Sequence, residues 1–200
     1  MKAARSGLIA VGCSAGGPPA LEIVLPALPR ATELSIVVAQ HMPEKFTTLF
    51  AARLARLCSL PVAEPRDGEP LSEGRIYIAP GNRQTTLERT SGGVIFRVRP
   101  RDASERYAPS ADLLLESVAE IFGPRAVGVL LSGMGGDGAA GMRAIKERRG
   151  CTLAESEKTA RVFGMPAEAI RAGLADQVLP LPEIARELAR LCGRDLYSSR

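Results

Sequence analysis

The stretch IAVGCSAGGPPAL, residues 9–21, decides how this chain begins to fold. Its short apolar run, extended back to residue 7, predicts a buried strand over 7–12. The glycine pair at 16–17 turns the chain. The proline pair at 18–19 suits the first turn of a helix, where a missing N–H costs nothing. The stretch therefore predicts a strand, a tight turn and a helix that continues through Leu28.

The same order of a short apolar run, a turn and a helical stretch recurs along the chain. Continuous apolar strands that alternate with helices indicate a mostly parallel sheet covered on both faces. The further strands are predicted at 35–40, 126–133, 152–156 and 176–181, and the further helices at 46–57 and 138–149, the last ended by Gly150.

The middle of the chain has a different pattern. GRIYIAP (74–80), TTLERT (85–90) and VIFRVR (94–99) are typical of short strands, and Ser91-Gly92-Gly93 is typical of a hairpin turn. We expect an antiparallel hairpin inserted into the otherwise parallel fold.

Length and composition predict one soluble domain. The 200 residues match the usual size of a single domain, and they show no repeat and no linker. We expect one domain over 1–200, with a core at about 7–192 and a flexible tail at 193–200.

Charge and composition argue against several function classes. The net charge of +4 and the absence of Trp do not favour nucleic-acid binding. No run approaches the ~18 apolar residues of a membrane span, so membrane insertion is not expected. With one His and four cysteines that form no C-x-x-C pair, the sequence predicts no metal site. Free cysteines on apolar segments indicate a reducing, cytoplasmic compartment.

Ser14 lies in the turn after the first predicted strand. Residues 12–16 fit G-x-S-x-G, a turn that can expose a nucleophilic serine at the edge of a sheet. The pattern alone is weak and favours a simple strand-to-helix turn. A phosphate-binding turn fits less well, because position 14 is not glycine and no Lys follows Gly17.

His41 and Asp137 occupy similar positions after two other predicted strands. The carboxyl ends of parallel strands are where ligands bind in open α/β sheets. A single His is more often structural, and an Asp before a helix is more often its N-cap. The run GMGGDG at 133–138 would also suit an anion nest. Together, however, Ser14, His41 and Asp137 supply a nucleophile, a base and a residue that orients the base.

Six motifs stand out along the chain: VGCSAGG (11–17), AQHMPEKFTTLFAARL (39–54), RIYIAPGN (75–82), YAPSADLLLESVAE (107–120), VGVLLSGMGGDGAAGM (127–142) and VFGMPAEAI (162–170). Together they resemble a known family, the catalytic domain of bacterial chemotaxis protein-glutamate methylesterases (the CheB family). The resemblance spans about residues 7–190 and implies a three-layer α/β/α fold with a doubly wound, Rossmann-like sheet. It implies a catalytic triad of Ser14, His41 and Asp137, with the family's active-site methionine at Met134.

The chain also departs from the family pattern. Ala15 replaces the Thr that commonly follows the nucleophile, and YAPSAD at 107–112 replaces the typical HRPSVD. Only about six residues precede the first predicted strand, so we expect a catalytic domain without the family's receiver domain. Control would then come from a separate regulatory partner, among other routes.

The resemblance implies a serine hydrolase that needs no cofactor. Its substrates would be γ-glutamyl methyl esters on the cytoplasmic helices of chemoreceptors, with receptor glutamines as a possible second substrate for deamidation. The backbone N–H groups near Ala15 and Met134 are candidates for the oxyanion hole. The alternative from another class is a non-catalytic adaptor that keeps the fold and binds receptor helices.

Overall fold

Residues 7–193 are described by a computed structural model, in which strands and helices alternate along most of the chain. The predicted tail lies, apart from Gly193, outside the described residues. The strands are β1 (Leu8–Cys13), β2 (Ser35–Gln40), β3 (Val62–Ala63), β4 (Ile76–Ile78), β5 (Arg83–Thr90), β6 (Gly93–Pro100), β7 (Ala126–Leu130), β8 (Cys151–Glu155) and β9 (Gln177–Leu179). The helices are α1 (Gly17–Val24), α2 (Glu44–Leu57), α3 (Ala111–Phe122), α4 (Ala139–Glu147), α5 (Met165–Arg171) and α6 (Leu181–Cys192).

Seven of these strands form one sheet in the order β3-β4-β2-β1-β7-β8-β9, and every neighbouring pair is parallel. The central strand is β1. The chain first builds outward on one side of it with β2, and later places β7 on its other side. The carboxyl ends of β1 and β7 therefore form the topological switch point of the sheet, the usual place for a ligand-binding crevice.

The side chains of each buried strand alternate between two apolar cores. Ile9 and Val11 of β1 face the core that α1, α2 and α6 cover. Leu8 and Ala10 face the opposite core, which α3, α4, α5 and the pair β5–β6 cover. The fold is thus a three-layer α/β/α arrangement around a parallel sheet, which confirms the expected fold class.

The strands β5 and β6 form the inserted antiparallel hairpin, paired from Arg83–Pro100 to Thr90–Gly93. Phe96 of the hairpin packs on Tyr77 of β4, with ring centroids 4.6 Å apart. The run at 74–80, grouped with the hairpin in the sequence analysis, instead contributes β4 to the parallel sheet. Its three residues are fully buried and pair with β2, so they belong to the core and not to the covering layer.

Several boundaries also differ from the predicted ones. The helix predicted to run through Leu28 ends as α1 at Val24, and a single 3₁₀ turn follows it. The strand predicted over 126–133 ends in the sheet at Leu130, after which the chain turns into the glycine-rich loop. The two-residue strand β3 has too short a pattern to be seen in the sequence. Within residues 7–193, no helix is long and apolar enough to cross a membrane.

Candidate active site

Ser14, His41 and Asp137 follow three adjacent strands, β1, β2 and β7, at the same edge of the sheet. The register places Ser14 and His41 directly after the paired residues Cys13 and Gln40. The His41 N–H donates to the Cys13 carbonyl at 3.0 Å. The structure therefore brings the three predicted residues to the switch point of the sheet, and their catalytic roles stay predictions.

The His41 ring and the Asp137 carboxylate are in direct contact. The distance between His41 Nε2 and Asp137 Oδ2 is 2.6 Å. The Asp137 side chain is only 2% exposed, whereas the His41 side chain is 14% exposed. The pair thus has a buried anionic end and an imidazole that reaches the surface.

Asp137 lies against the amino end of α3. Its Oδ1 accepts hydrogen bonds from the Ser110 hydroxyl at 2.9 Å and the Asp112 N–H at 3.0 Å. Its Oδ2 also accepts one from the Ala111 N–H at 2.7 Å. A helix N-terminus favours negative charge, so α3 holds this carboxylate both by geometry and by its dipole.

The structure also shows how Asp137 differs from an ordinary N-cap. The helix that follows it, α4, has Gly138 at its N-cap and no side-chain cap there. Asp112 of α3 caps α4 instead, since its Oδ1 accepts hydrogen bonds from the N–H groups of Gly138 and Gly141 at 2.8 and 2.9 Å. The two helices therefore exchange carboxylates, and each acid stabilises the start of the other helix.

These contacts determine the charge of the pair. Burial raises the pKa of Asp137, but the hydrogen bonds from His41, Asp112, Ala111 and Ser110 outweigh it and hold the pKa below its ordinary value. An ionised carboxylate only accepts hydrogen bonds. The network therefore assigns a proton to His41 Nε2, which leaves Nδ1 of the neutral ring as the basic nitrogen.

Gln40, at the end of β2, ties the Ser14 and His41 backbones together. Its Nε2 donates to the Ser14 carbonyl at 2.9 Å and to the His41 carbonyl at 3.0 Å. Its Oε1 accepts from the Cys13 thiol at 3.1 Å. The amide lies against Gly17, where an added Cβ would come within 2.0 Å of Gln40 Oε1. The second glycine of the turn is thus required by a close approach.

The Ser14 hydroxyl itself is half-buried at the start of the turn. Within the described part of the chain, no hydrogen bond joins this hydroxyl to the His41 ring. Catalytic hydrogen bonds often shorten only when substrate is bound, so the separation does not argue against a nucleophile. The neighbouring Cys13 is a poor nucleophile, because burial and the nearby Glu155 raise the pKa of its thiol.

The two predicted oxyanion positions border Ser14. A Cβ added at Gly133 would lie 3.0 Å from the Ser14 Cβ, so the loop after β7 packs closely against Ser14. Met134, the next residue, is 67% exposed. Among the described residues, the N–H groups of Ala15 and Met134 donate to no protein acceptor. Both are therefore free to bind a substrate oxygen.

Sequence reasoning missed Tyr107 and Ser110 as residues of this site. The Tyr107 ring stacks on the His41 ring, with centroids 4.7 Å apart and planes 10° apart. The Arg106 guanidinium carbon lies 5.2 Å from the Tyr107 ring centroid. The departure YAPSAD was visible in the sequence, but nothing there showed that its first residue covers the histidine. In residues 7–193, no cluster of three or more His, Cys, Asp or Glu could hold a metal ion.

Comparisons with known proteins point to one family. A profile of the family described as CheB methylesterase matches residues 9–188. The crystal structure of the Thermotoga maritima CheB methylesterase catalytic domain superposes with a TM-score of 0.89 at 39% identity. The match covers 93% of this chain and 98% of that one.

Two curated relatives have names of the same kind. The protein-glutamate methylesterase/protein-glutamine glutaminase 3 of Geobacter sulfurreducens is 48% identical over 96% of this chain and 52% of its own length. Protein-glutamate methylesterase/protein-glutamine glutaminase 5 of Anaeromyxobacter dehalogenans is 48% identical over 92% of this chain and 51% of its own. The chain thus spans about half the length of the curated relatives it matches.

Proposed function

Because the chain belongs to the CheB methylesterase family, we propose that it is a serine hydrolase acting on γ-glutamyl methyl esters of chemoreceptors. The observation that carries this proposal is the contact between His41 and the buried Asp137, 2.6 Å apart, at the strand edge that also holds Ser14. Two of the relatives are named for methylesterase and glutaminase activities, which supports glutamine deamidation as a second reaction.

The first half of the reaction forms an acyl-enzyme. The Ser14 Oγ attacks the ester carbonyl carbon while His41 Nδ1 takes the hydroxyl proton, an assistance typically worth ~10²–10⁴-fold in rate. Asp137 stabilises the imidazolium through Nε2–H. The tetrahedral oxyanion accepts hydrogen bonds from the Ala15 and Met134 N–H groups, each worth about 10²–10³ in rate.

The second half restores the enzyme. The C–O bond to the methoxy group breaks, and His41 returns the proton so that methanol leaves. Water then attacks the acyl carbon and gives a proton to His41. The bond from the acyl carbon to Ser14 Oγ breaks, His41 returns the proton to Oγ, and the glutamate side chain is freed. With a glutamine side chain the leaving group is ammonia and the other steps are the same.

The surface around Ser14 supports a protein segment as the substrate. Met134 is exposed next to Gly133, and α2, which begins soon after His41, exposes the apolar side chains of Phe46 and Leu49. Exposed apolar side chains of this kind suit a protein-binding surface. Lys45 of α2 and Arg161 are also exposed. Arg161 lies close to the nucleophile turn, since an added Cβ at Gly16 would come within 2.9 Å of the Arg161 Cβ. An amphipathic helix that carries glutamates complements both features.

The direct experiment is methanol release from receptor fragments that carry labelled methyl esters. Wild type should release methanol and Ser14→Ala should not, because the variant lacks the attacking oxygen. Ser91→Ala, an exposed serine of the hairpin turn, is the matched control and should keep full activity. Residual activity of Ser14→Ala above a tenth of wild type would refute the nucleophile assignment.

A fluorophosphonate probe separates this hydrolase from a receptor-binding adaptor with the same fold. The probe should label Ser14 in wild type and leave Ser14→Ala unlabelled. An adaptor without catalytic function would bind receptor fragments and remain unlabelled.

A further inference from the structure

We propose that Gln84, on strand β5 of the hairpin, is a positioning residue that holds both His41 and Asp137 in their reactive arrangement. The inference rests on the hydrolase function proposed above. It extends the site into the hairpin, an element that contributes no residue to the triad.

Gln84 uses both ends of its amide on one segment of the chain. Its Nε2 donates to the Tyr107 carbonyl at 2.7 Å, and its Oε1 accepts from the Ser110 N–H at 2.9 Å. The side chain is buried, with the residue 1% exposed. The reverse amide orientation would face N–H against N–H and carbonyl against carbonyl, so the network fixes a single orientation.

Each end of this segment contacts one member of the catalytic pair. The Tyr107 ring stacks on the His41 ring at 4.7 Å. The Ser110 hydroxyl donates to Asp137 Oδ1 at 2.9 Å. The Gln84 amide thus fixes two residues that lie three positions apart. Tyr107 stacks on the imidazole, and Ser110 donates to the carboxylate.

Besides Gln84, the segment is held by the stacking of Tyr107 on His41 and by the Ser110 hydrogen bond to Asp137. It lies between β6 and α3, outside regular secondary structure, and the residues just before it are mostly exposed. Asn82 supplies the other backbone contact from the hairpin, through its N–H to the Ala108 carbonyl at 3.1 Å. Loss of the Gln84 amide would leave a buried carbonyl and a buried N–H without partners, so the segment would shift.

A shift of this kind changes the chemical step and not substrate binding. Gln84 is buried and touches no substrate, so KM should be unchanged. The geometry of the base would change, and a displacement of about 1 Å at a catalytic group can cost 10²-fold in rate. The signature of Gln84 is therefore a fall in kcat at constant KM.

The test is Gln84→Met, an apolar side chain of similar length. We measure kcat and KM for methanol release, and the rate at which a fluorophosphonate labels Ser14. In labelling, the Ser14 Oγ–P bond forms, fluoride leaves and the proton passes to His41, so the rate reports the base without a receptor. Both kcat and the labelling rate should fall about 10- to 100-fold, with KM within about twofold.

Two controls on the same strand separate positioning from general damage to the hairpin. Leu87→Ala removes a buried apolar side chain and should destabilise the fold at least as much. Thr85→Val changes the adjacent buried hydroxyl, which has no partner among the described residues. Both should retain the wild-type labelling rate. The proton NMR signal of His41 Nε2–H should shift in Gln84→Met and stay in place in the two controls.

A double-mutant cycle tests the route through Ser110. The combined loss in Gln84→Met/Ser110→Ala should be smaller than the product of the two single losses, because both act on one contact. A labelling rate for Gln84→Met within about threefold of the Leu87→Ala rate, or a change in KM alone, would overturn the proposal. If Gln84→Met does not fold, Gln84→Asn replaces it, since its shorter amide cannot reach both partners.

The two readouts also separate this proposal from the proposed substrate. Wild type that labels with the probe but releases no methanol from receptor fragments would refute the receptor substrate and leave the Gln84 test intact. Wild type that does not label would refute both.

Discussion

Asp137 is a buried acid held by several hydrogen bonds. It accepts four hydrogen bonds, from His41, Ser110, Ala111 and Asp112, and only the one from His41 comes from a predicted catalytic group. The other three fix its two oxygens against the end of α3. The carboxylate is therefore already placed before any substrate arrives, and its orienting effect requires no movement during the reaction.

Asp137→Asn tests this placement. The amide has one acceptor oxygen where the carboxylate has two, so at least one N–H or O–H donor at the start of α3 loses its acceptor. His41 also loses its charged hydrogen-bond partner. We expect kcat for ester hydrolysis to fall by about 10⁴-fold, as when the analogous acid of serine proteases is replaced. Thermal unfolding of the same sample shows whether the fold persists. A near-normal rate would mean that Asp137 only caps a helix.

Ser14, His41 and Asp137 could be predicted because Ser14 and His41 directly follow buried strands and Asp137 lies in the loop after a third, and strand ends in a parallel sheet meet at one edge. Tyr107, Ser110 and Gln84 could not. Their contacts join a loop to a hairpin, and neither hydrophobic periodicity nor turn composition encodes such a contact. The alternative role for Asp137, as the N-cap of the helix that follows it, is not what the structure shows, because its carboxylate accepts N–H groups of α3, and only the fold shows which helix end lies nearby.

At the scale of elements, the link between β1 and β2 depends on Gln40. Its amide occupies the space beside Gly17 and bonds to the backbone on both sides of the nucleophile turn. The turn, the strand end and the histidine therefore behave as one packed unit. A Cβ atom added at Gly17 would therefore displace the Gln40 amide.

Gly17→Ala should displace this amide and loosen the unit. Its Cβ would come within 2.0 Å of Gln40 Oε1 and 3.0 Å of the Cys13 Cβ. Overpacking of this kind costs about 1–3 kcal/mol of unfolding free energy, and activity should fall with it. Gly92→Ala in the hairpin turn is the control, since its nearest neighbour is 3.8 Å away. Equal melting temperatures for the two variants in calorimetry would contradict this account.

The sheet was largely predictable from its buried apolar runs, and the error at β4 has a physical reason. The run at 74–80 is as short as the hairpin strands and precedes them directly, so its sequence suggests the same layer. Its partners are decided by burial on both faces, which places Ile76, Tyr77 and Ile78 between β2 and β3. The local sequence pattern does not indicate which strands these residues pair with.

At the scale of the whole molecule, two buried acids respond to pH in opposite directions. Asp137 has a lowered pKa, so it stabilises the fold above the ordinary Asp value and loses this effect as the pH falls. Glu155, at the end of β8, is 1% exposed, and burial raises its pKa despite the hydrogen bond from the Ser132 N–H at 2.8 Å. Its charged form therefore costs stability near neutral pH.

Glu155→Gln isolates the second effect. The folded state holds the Glu155 proton more tightly than the unfolded chain, so wild-type stability falls as the pH rises from the ordinary Glu value, near 4.3, through the raised folded value. Gln keeps an acceptor for the Ser132 N–H and carries no charge. The melting temperature of the variant relative to wild type should therefore increase from pH 4 to pH 7. A constant difference across this range would show that Glu155 carries no such cost.

Because α3 and α4 exchange carboxylates, their first turns should open together. Asp137 completes the first turn of α3, and Asp112 completes the first turn of α4, so neither helix start can fray without exposing the N–H groups of the other. Opening of this junction would free the Asp137 carboxylate, the predicted orienting group of His41, while the sheet stays closed. We therefore expect activity to be lost when the two helix starts open together, before the chain unfolds.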